Sequence, residues 1–192
     1  MNVIEEQASL QLSALDEVSA SLQKAGIDYW LFGGWAVDFY VGSVTRLHGD
    51  VDLPVWFVDV SQIAKLLLAN GWRHAPFDDE DGGTGFERGG VRLELTFLVR
   101  GVDGLASIPL RSGAVVWPGK EALADDVGEL RGVQARLVGR ESLLQGKSTP
   151  RDDLEDAAKD RADFIQLSRL RPCATRPATL VRGSVTASRS DG

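Results

Sequence analysis

One cysteine, Cys173, stands in a chain of 192 residues. That excludes an internal disulfide framework and a cysteine-based zinc site. No apolar run approaches the roughly 20 residues that a membrane-spanning helix needs. The opening segment runs from Met1 to the acidic Glu5-Glu6, without a basic stretch leading into an apolar one. The expectation is a soluble, cytoplasmic protein with no membrane partner. Basic residues are outnumbered, 21 against 28 acidic, for a formal net charge of −7. A fold-wide hold on nucleic acid needs a basic footprint, so no DNA partner is expected. Repeats and internal low-complexity linkers are absent too.

What is present suffices for one compact domain with a core, since 43% of the residues are hydrophobic. Leu10, Leu12, Leu15, Val18 and Leu22 recur at near-helical spacing and predict a helix over 5–25 that stops at Gly26. Ile27 to Phe32 reads as a short buried strand, broken by Gly33-Gly34. Trp35 to Val41 reads as a short helix ending at Gly42. Val51 to Val58 predicts a strand, and Ser61 the cap of a helix reaching Asn70-Gly71. The acidic stretch Asp78 to Gly83 predicts a loop. Gly85 to Val99 predicts a β-hairpin turning at Gly89-Gly90. Residues 101–133 are mixed, Gln134 to Val138 is a further strand, and helices follow over Arg140–Gly146 and Asp152–Leu170. From Arg171 onward Pro, Thr, Ser, Arg and Gly dominate, which predicts a disordered tail. The fold class is α/β (α+β): a mixed sheet flanked by helices, with a small helical C-terminal part. The divisions expected are 1–138, 139–171 packed on it, and the tail 172–192.

The chemistry concentrates in Gly33-Gly34-Trp35-Ala36-Val37-Asp38, then Gly42, then Arg46-Leu47-His48-Gly49-Asp50-Val51-Asp52. Alternation along a strand points Asp50 and Asp52 the same way. Adjacent carboxylates repel, and a divalent cation removes the penalty; Mg²⁺ takes one or two carboxylates together with phosphate oxygens. An isolated Asp-x-Asp more often faces water. Here the pair enters a strand whose remainder is apolar, and acidic groups entering such a strand need a partner. A strand, Gly33-Gly34 and a helix start form an anion-binding layout, or else a plain tight turn; no Lys-Ser or Lys-Thr follows to make a Walker loop. Arg46 and His48 are within reach of phosphate or of the aspartates, and for His48 a loop-orienting role weighs equally. Arg92, Glu94 and Thr96 alternate with Leu93, Leu95 and Phe97. Glu94 therefore joins the aspartates if the two strands pair, and Glu87, nearer the turn, is its rival.

The pattern strand, Gly-Gly-Trp-Ala-x-Asp, Gly42, Arg-x-His-x-Asp-x-Asp resembles the antibiotic nucleotidyltransferases, the aminoglycoside 2''-adenylyltransferases and lincosamide nucleotidyltransferases of the DNA polymerase beta-like superfamily. The likeness covers roughly 20–165 and is most specific over 33–52. It implies a nucleotidyltransferase fold. It also implies Asp50 and Asp52 as holders of two Mg²⁺ ions, Glu94 as third metal ligand and general base, and Gly33 and Gly34 against the triphosphate. Arg46, His48 and Lys147 are the further nucleotide contacts, with ATP as donor. Lys147, Arg151 and Lys159-Asp160-Arg161-x-Asp163 resemble the family's C-terminal signature. Three departures stand out: Gly-Gly where many members have Gly-Ser, Pro54 inside the metal-bearing strand, and Glu rather than Asp as third carboxylate.

The activity so implied is transfer of AMP from ATP to a hydroxyl of a small antibiotic, giving resistance. An aminoglycoside is favoured over a lincosamide, because the negative charge and the acidic loop Asp78-Asp79-Glu80-Asp81 suit a polycation. The alternatives are a toxin-type nucleotidyltransferase modifying tRNA or protein, and a non-catalytic binding module of the same fold. The full carboxylate set argues against the module.

Overall fold

The structure of the protein, a computed structural model, describes residues 3–77, 81–102, 104–117, 122–123 and 125–170. The expected tail, and Asp78 to Glu80 of the expected acidic loop, lie outside the described residues.

Helix α1 (Val3–Lys24) carries Glu5 and Glu6 in its first turn and Lys24 in its last, which complements the helix dipole. It buries Ala8, Gln11, Leu12, Leu15, Val18, Ser19 and Leu22, a stripe at three- and four-residue spacing. The apolar reading mistook one position: Leu10 is 45% exposed, and Gln11 beside it is the buried residue.

After α2 (Gly33–Val41) come β1 (Val51–Trp56), α3 (Val60–Ala69), β2 (Arg73–His74), β3 (Gly83–Arg88), β4 (Val91–Arg100), β5 (Ala106–Leu110), β6 (Gly113–Val116), β7 (Val127–Leu130) and β8 (Val133–Arg136). The helices α4 (Arg140–Ser148) and α5 (Leu154–Arg169) close the order. The main sheet runs β2-β3-β4-β5-β6, and β1 joins β4. The β1–β4 pair is parallel and the other pairs are antiparallel, so the sheet is mixed, as expected. Strands β7 and β8 form a separate hairpin. Positive φ at both Gly89 (56°) and Gly90 (80°) makes the tight turn between β3 and β4. Val51, Leu53, Val55, Leu93 and Leu95 are buried on one side of β1 and β4, and α1 packs along β4, β8 and α3. Helices α4 and α5 pack on each other and on α2. Among the described residues no helix is long and apolar enough to cross a membrane.

Two expectations are corrected. Ile27 to Phe32 is not a regular strand but a strip bridging two others, Tyr29 to Val55 and Leu31 to Leu137. Trp30 N–H donates to Pro54 O at 3.1 Å and Phe32 N–H to Asp52 O at 3.0 Å. Pro54 has no N–H to return, so the ladder stays one-sided there. Ser61 is not a cap, because a 3₁₀ turn, Phe57–Asp59, feeds directly into α3 and places Ser61 inside it.

Candidate active site

Parallel pairing sets Asp52 opposite Glu94, and Asp50 stands one residue before β1. Strand alternation puts Asp52 and Glu94 on the sheet face opposite the buried Leu53, Leu93 and Leu95. The expectation that the two acidic strands are neighbours holds. Glu87 is a step further out: it faces Arg92 across the hairpin. Its Oε1 accepts from Arg92 Nη1 at 3.1 Å and its Oε2 from Arg73 Nη2 at 2.5 Å. Arg92 Nε donates to Glu94 Oε1 at 2.7 Å, which fixes one oxygen of that carboxylate.

Burial, then the negative charges of Asp50 and Glu94, push the Asp52 carboxyl up to about 7, against the opposing pull of Lys147 and Arg151. Asp52 therefore feels the charges of both other carboxylates, and the positive charges of Lys147 on α4 and Arg151 after it act on Asp52 as well. Among the described residues no group of three or more His, Cys, Asp or Glu side chains forms a ready-made metal cage. The Asp50–Asp52–Glu94 set is an open arrangement of hard oxygen donors under mutual repulsion. That fits Mg²⁺, which draws the rest of its shell from phosphate oxygens and water.

Helix α2 starts against this centre. Gly33, its first residue, has φ +67°, and a Cβ there would overlap the Asp52 carboxylate. A Cβ on Gly34 would fall on the Arg46 guanidinium and 2.5 Å from His48 Nδ1. Close packing of the helix start on Asp52, Arg46 and His48 thus requires both glycines. No side chain caps α2. Its first amides and the positive end of its dipole are left for an anion.

Loop 43–49, which leads into Asp50, is fastened from beneath. Asp38 on α2 is fully buried. It accepts from Thr45 Oγ1 at 2.5 Å, from Thr45 N–H at 3.2 Å and from His48 Nε2 at 2.6 Å. The His48 ring lies 4.5 Å from the Trp35 ring. Gln11 on α1 donates to His48 O at 3.1 Å and accepts from Trp35 Nε1 at 3.3 Å.

The C-terminal helices are bolted to the same loop. Arg46 grips Asp163 through Nε (3.2 Å) and Nη2 (3.0 Å), and its Nη1 donates to Leu47 O. Lys147 pairs with Asp160 at 2.7 Å and Asp163 at 2.9 Å, and Arg151 with Asp160 at 2.5 Å. Burial works to raise Asp163, but the bonds and charges of Arg46 and Lys147 outweigh it and hold that carboxyl below the ordinary carboxylate range.

Gly33, Gly34, Asp50, Asp52, Glu94 and Lys147 are therefore brought together. Arg46 and His48 lie beside them, Arg46 bonded to Asp163 and Leu47 O and His48 to Asp38. Three residues escaped the sequence reading. Gln11 sits where the helical period demands a buried residue, and that was the available signal. Asp38 lay within the motif without a role. Arg92 shares a face with Glu94 in the alternation, and no local pattern shows that it binds that carboxylate.

The family model for aminoglycoside-2''-adenylyltransferase matches residues 14–120, more than half of the chain. A 2''-aminoglycoside nucleotidyltransferase of Klebsiella pneumoniae is 37% identical over 43 residues; the match spans 22% of this chain and only 24% of that relative. The lincomycin-bound crystal structure of the lincosamide antibiotic adenylyltransferase LnuA superimposes with a TM-score of 0.62 at 18% identity, covering 88% of this chain and 99% of that one. ANT(2")-Ia in complex with adenylyl-2"-tobramycin gives a TM-score of 0.54 at 17% identity, over 83% and 95% of the two chains. At such identities these two structures establish a shared nucleotidyltransferase fold, and the matched family model establishes the lineage: the chain belongs to the aminoglycoside-2''-adenylyltransferase family.

Proposed function

We propose that the protein is an Mg²⁺-dependent nucleotidyltransferase that moves AMP from ATP to a hydroxyl of an aminoglycoside, and that residues 1–138 form its catalytic unit with 139–171 packed on it. The observation that carries this reading is the placement of Asp52 opposite Glu94, with Asp50 one residue before the strand and the uncapped start of α2 against Asp52.

Asp50, Asp52 and Glu94 would hold two Mg²⁺ ions, whose charge would offset that of the triphosphate and acidify the acceptor hydroxyl. Glu94 accepts the proton of that hydroxyl; Arg92 holds one of its oxygens and leaves the other to take part. Lys147 and Arg151 supply positive charge beside Asp52 and face the phosphates. Gly33 and Gly34 let the phosphates approach the amides of α2. Asp163 ties Arg46 and Lys147 to α5 and so keeps the helical part over the site. The products are an adenylylated acceptor and pyrophosphate.

An aminoglycoside is favoured over a lincosamide because the matched family model and the Klebsiella pneumoniae relative are both of the 2''-aminoglycoside type, and the net charge of −7 suits a polycation. The test is mass spectrometry of aminoglycosides, lincomycin and tRNA, each incubated with ATP, Mg²⁺ and the protein. A mass gain of one AMP on an aminoglycoside is the expected result. Modification of lincomycin or tRNA alone overturns the acceptor, and no modification of any acceptor overturns the activity.

A further inference from the structure

We infer that Asp38 and His48 form a lock that positions the metal-binding aspartates, with His48 acting through the loop rather than on the nucleotide. The inference rests on the reading of Asp50 and Asp52 as cation ligands. Loop 43–49 makes no regular structure, yet it must deliver Asp50 and Asp52 to fixed positions, because a cation shell tolerates little displacement. The loop is held at two points by one carboxylate. Asp38, with no surface exposed, takes the Thr45 amide and hydroxyl near the start of the loop and His48 Nε2 near its end. A carboxylate accepts only, so Nε2 of His48 carries the proton. That bond fixes the ring, and Trp35 packs against it at 4.5 Å. Gln11 holds the His48 carbonyl at 3.1 Å. Gly34 lies under the ring and leaves no room for a side chain. Asp38, Trp35, Gln11 and Gly34 thus restrain His48 two residues before Asp50. A buried carboxylate with three donors and an imidazole wedged under a helix start amount to far more fixation than a surface loop needs to stay folded.

The lock is tested with Mn²⁺ alone as the probe, so no turnover is required. In Asp38→Asn and His48→Ala, amide hydrogen exchange across 43–50 is expected to accelerate while β4 and the body of α1 keep their protection. Mn²⁺ affinity is expected to fall roughly 10- to 100-fold, the usual cost of losing a group that orients a metal ligand. His48→Gln places an amide N–H near the position of Nε2 and is expected to restore most of both properties. The inference is overturned if exchange across 43–50 is unchanged in His48→Ala. It is equally overturned if His48→Gln keeps exchange and Mn²⁺ affinity yet loses ATP binding, which assigns the imidazole to the nucleotide. A wild-type protein that binds no Mn²⁺ overturns the cation reading instead, and the exchange measurement still decides whether the lock exists. Circular dichroism and melting temperature identify a variant that fails to fold, in which case Thr45→Val, which removes only the 2.5 Å hydroxyl bond, gives the same exchange test.

Discussion

Gly33→Ala separates backbone strain from damage to the site. At φ +67° an alanine sits in left-handed backbone, at a cost of about 1–2 kcal/mol. For a chain of this size each kcal/mol lowers the melting temperature by roughly 2–4 °C, so strain alone accounts for a drop of about 2–8 °C. Gly42→Ala carries the same strain, with φ +79° and nothing within 4 Å of its Cβ, and it serves as the control. The difference lies in the second cost at Gly33. Its Cβ would overlap the Asp52 carboxylate, and either that carboxylate or the first turn of α2 must give way. A misplacement near 1 Å at a reacting centre costs about a hundredfold in rate. Gly33→Ala is therefore expected to melt below Gly42→Ala, and it alone is expected to lose about two orders of magnitude in Mg²⁺-dependent adenylyl transfer. Melting is followed by fluorimetry and transfer by pyrophosphate release. Wild-type turnover in Gly33→Ala would show that the helix start need not rest on Asp52, and the phosphate site placed there would be wrong.

The remaining predictions use the charges. Asp52 in the folded protein is raised from 3.8 to about 7, so the folded state binds the proton more tightly than the unfolded chain. Stability of the metal-free protein should decline as pH rises between those values and level off above; Mg²⁺ should then raise the melting temperature more at pH 8 than at pH 5, and equal gains would contradict the cause given. Glu94→Gln should slow turnover roughly 100- to 10,000-fold with ATP binding little changed, and Glu87→Gln far less; the reverse order in a steady-state assay names the wrong base. Asp163→Asn leaves Arg46 and Lys147 without their shared anion, which should cost about 3–5 kcal/mol. Because Asp163 lies below the ordinary range, its stabilising effect is present above the ordinary carboxylate pKa and is lost as pH falls through its depressed value. Melting curves of wild type and variant should therefore converge at strongly acidic pH.

Much of this was legible in the residues because the signals were periodic or local. The alternation of Arg92, Glu94 and Thr96 with Leu93 and Leu95 marked a two-faced strand, and Gly89-Gly90 marked its turn. The pairing of that strand with the Asp52 strand was a condition in the sequence, and the parallel β1–β4 register supplies it. Long-range matters were not legible. That Arg46 is spent on Asp163, 117 positions away, depends on how α5 docks, and no local pattern encodes it. The burial of Gln11 was masked by its polarity, although its helical position required it. The strip Ile27 to Phe32 looked like a strand because its composition is apolar; what interrupts its ladder is Pro54, a residue in the partner strand.

The central claim is that the Asp50–Asp52–Glu94 centre performs nucleotidyl transfer. Its most direct test is pyrophosphate release from ATP and an aminoglycoside, measured at saturating Mg²⁺ for the wild-type protein and for Asp52→Asn side by side. Release is expected from the wild type only when Mg²⁺ and acceptor are both present, and none is expected from Asp52→Asn, which should fold and melt at or above the wild-type temperature once the repulsion at Asp52 is relieved. Near-wild-type release from a folded Asp52→Asn protein would contradict the claim.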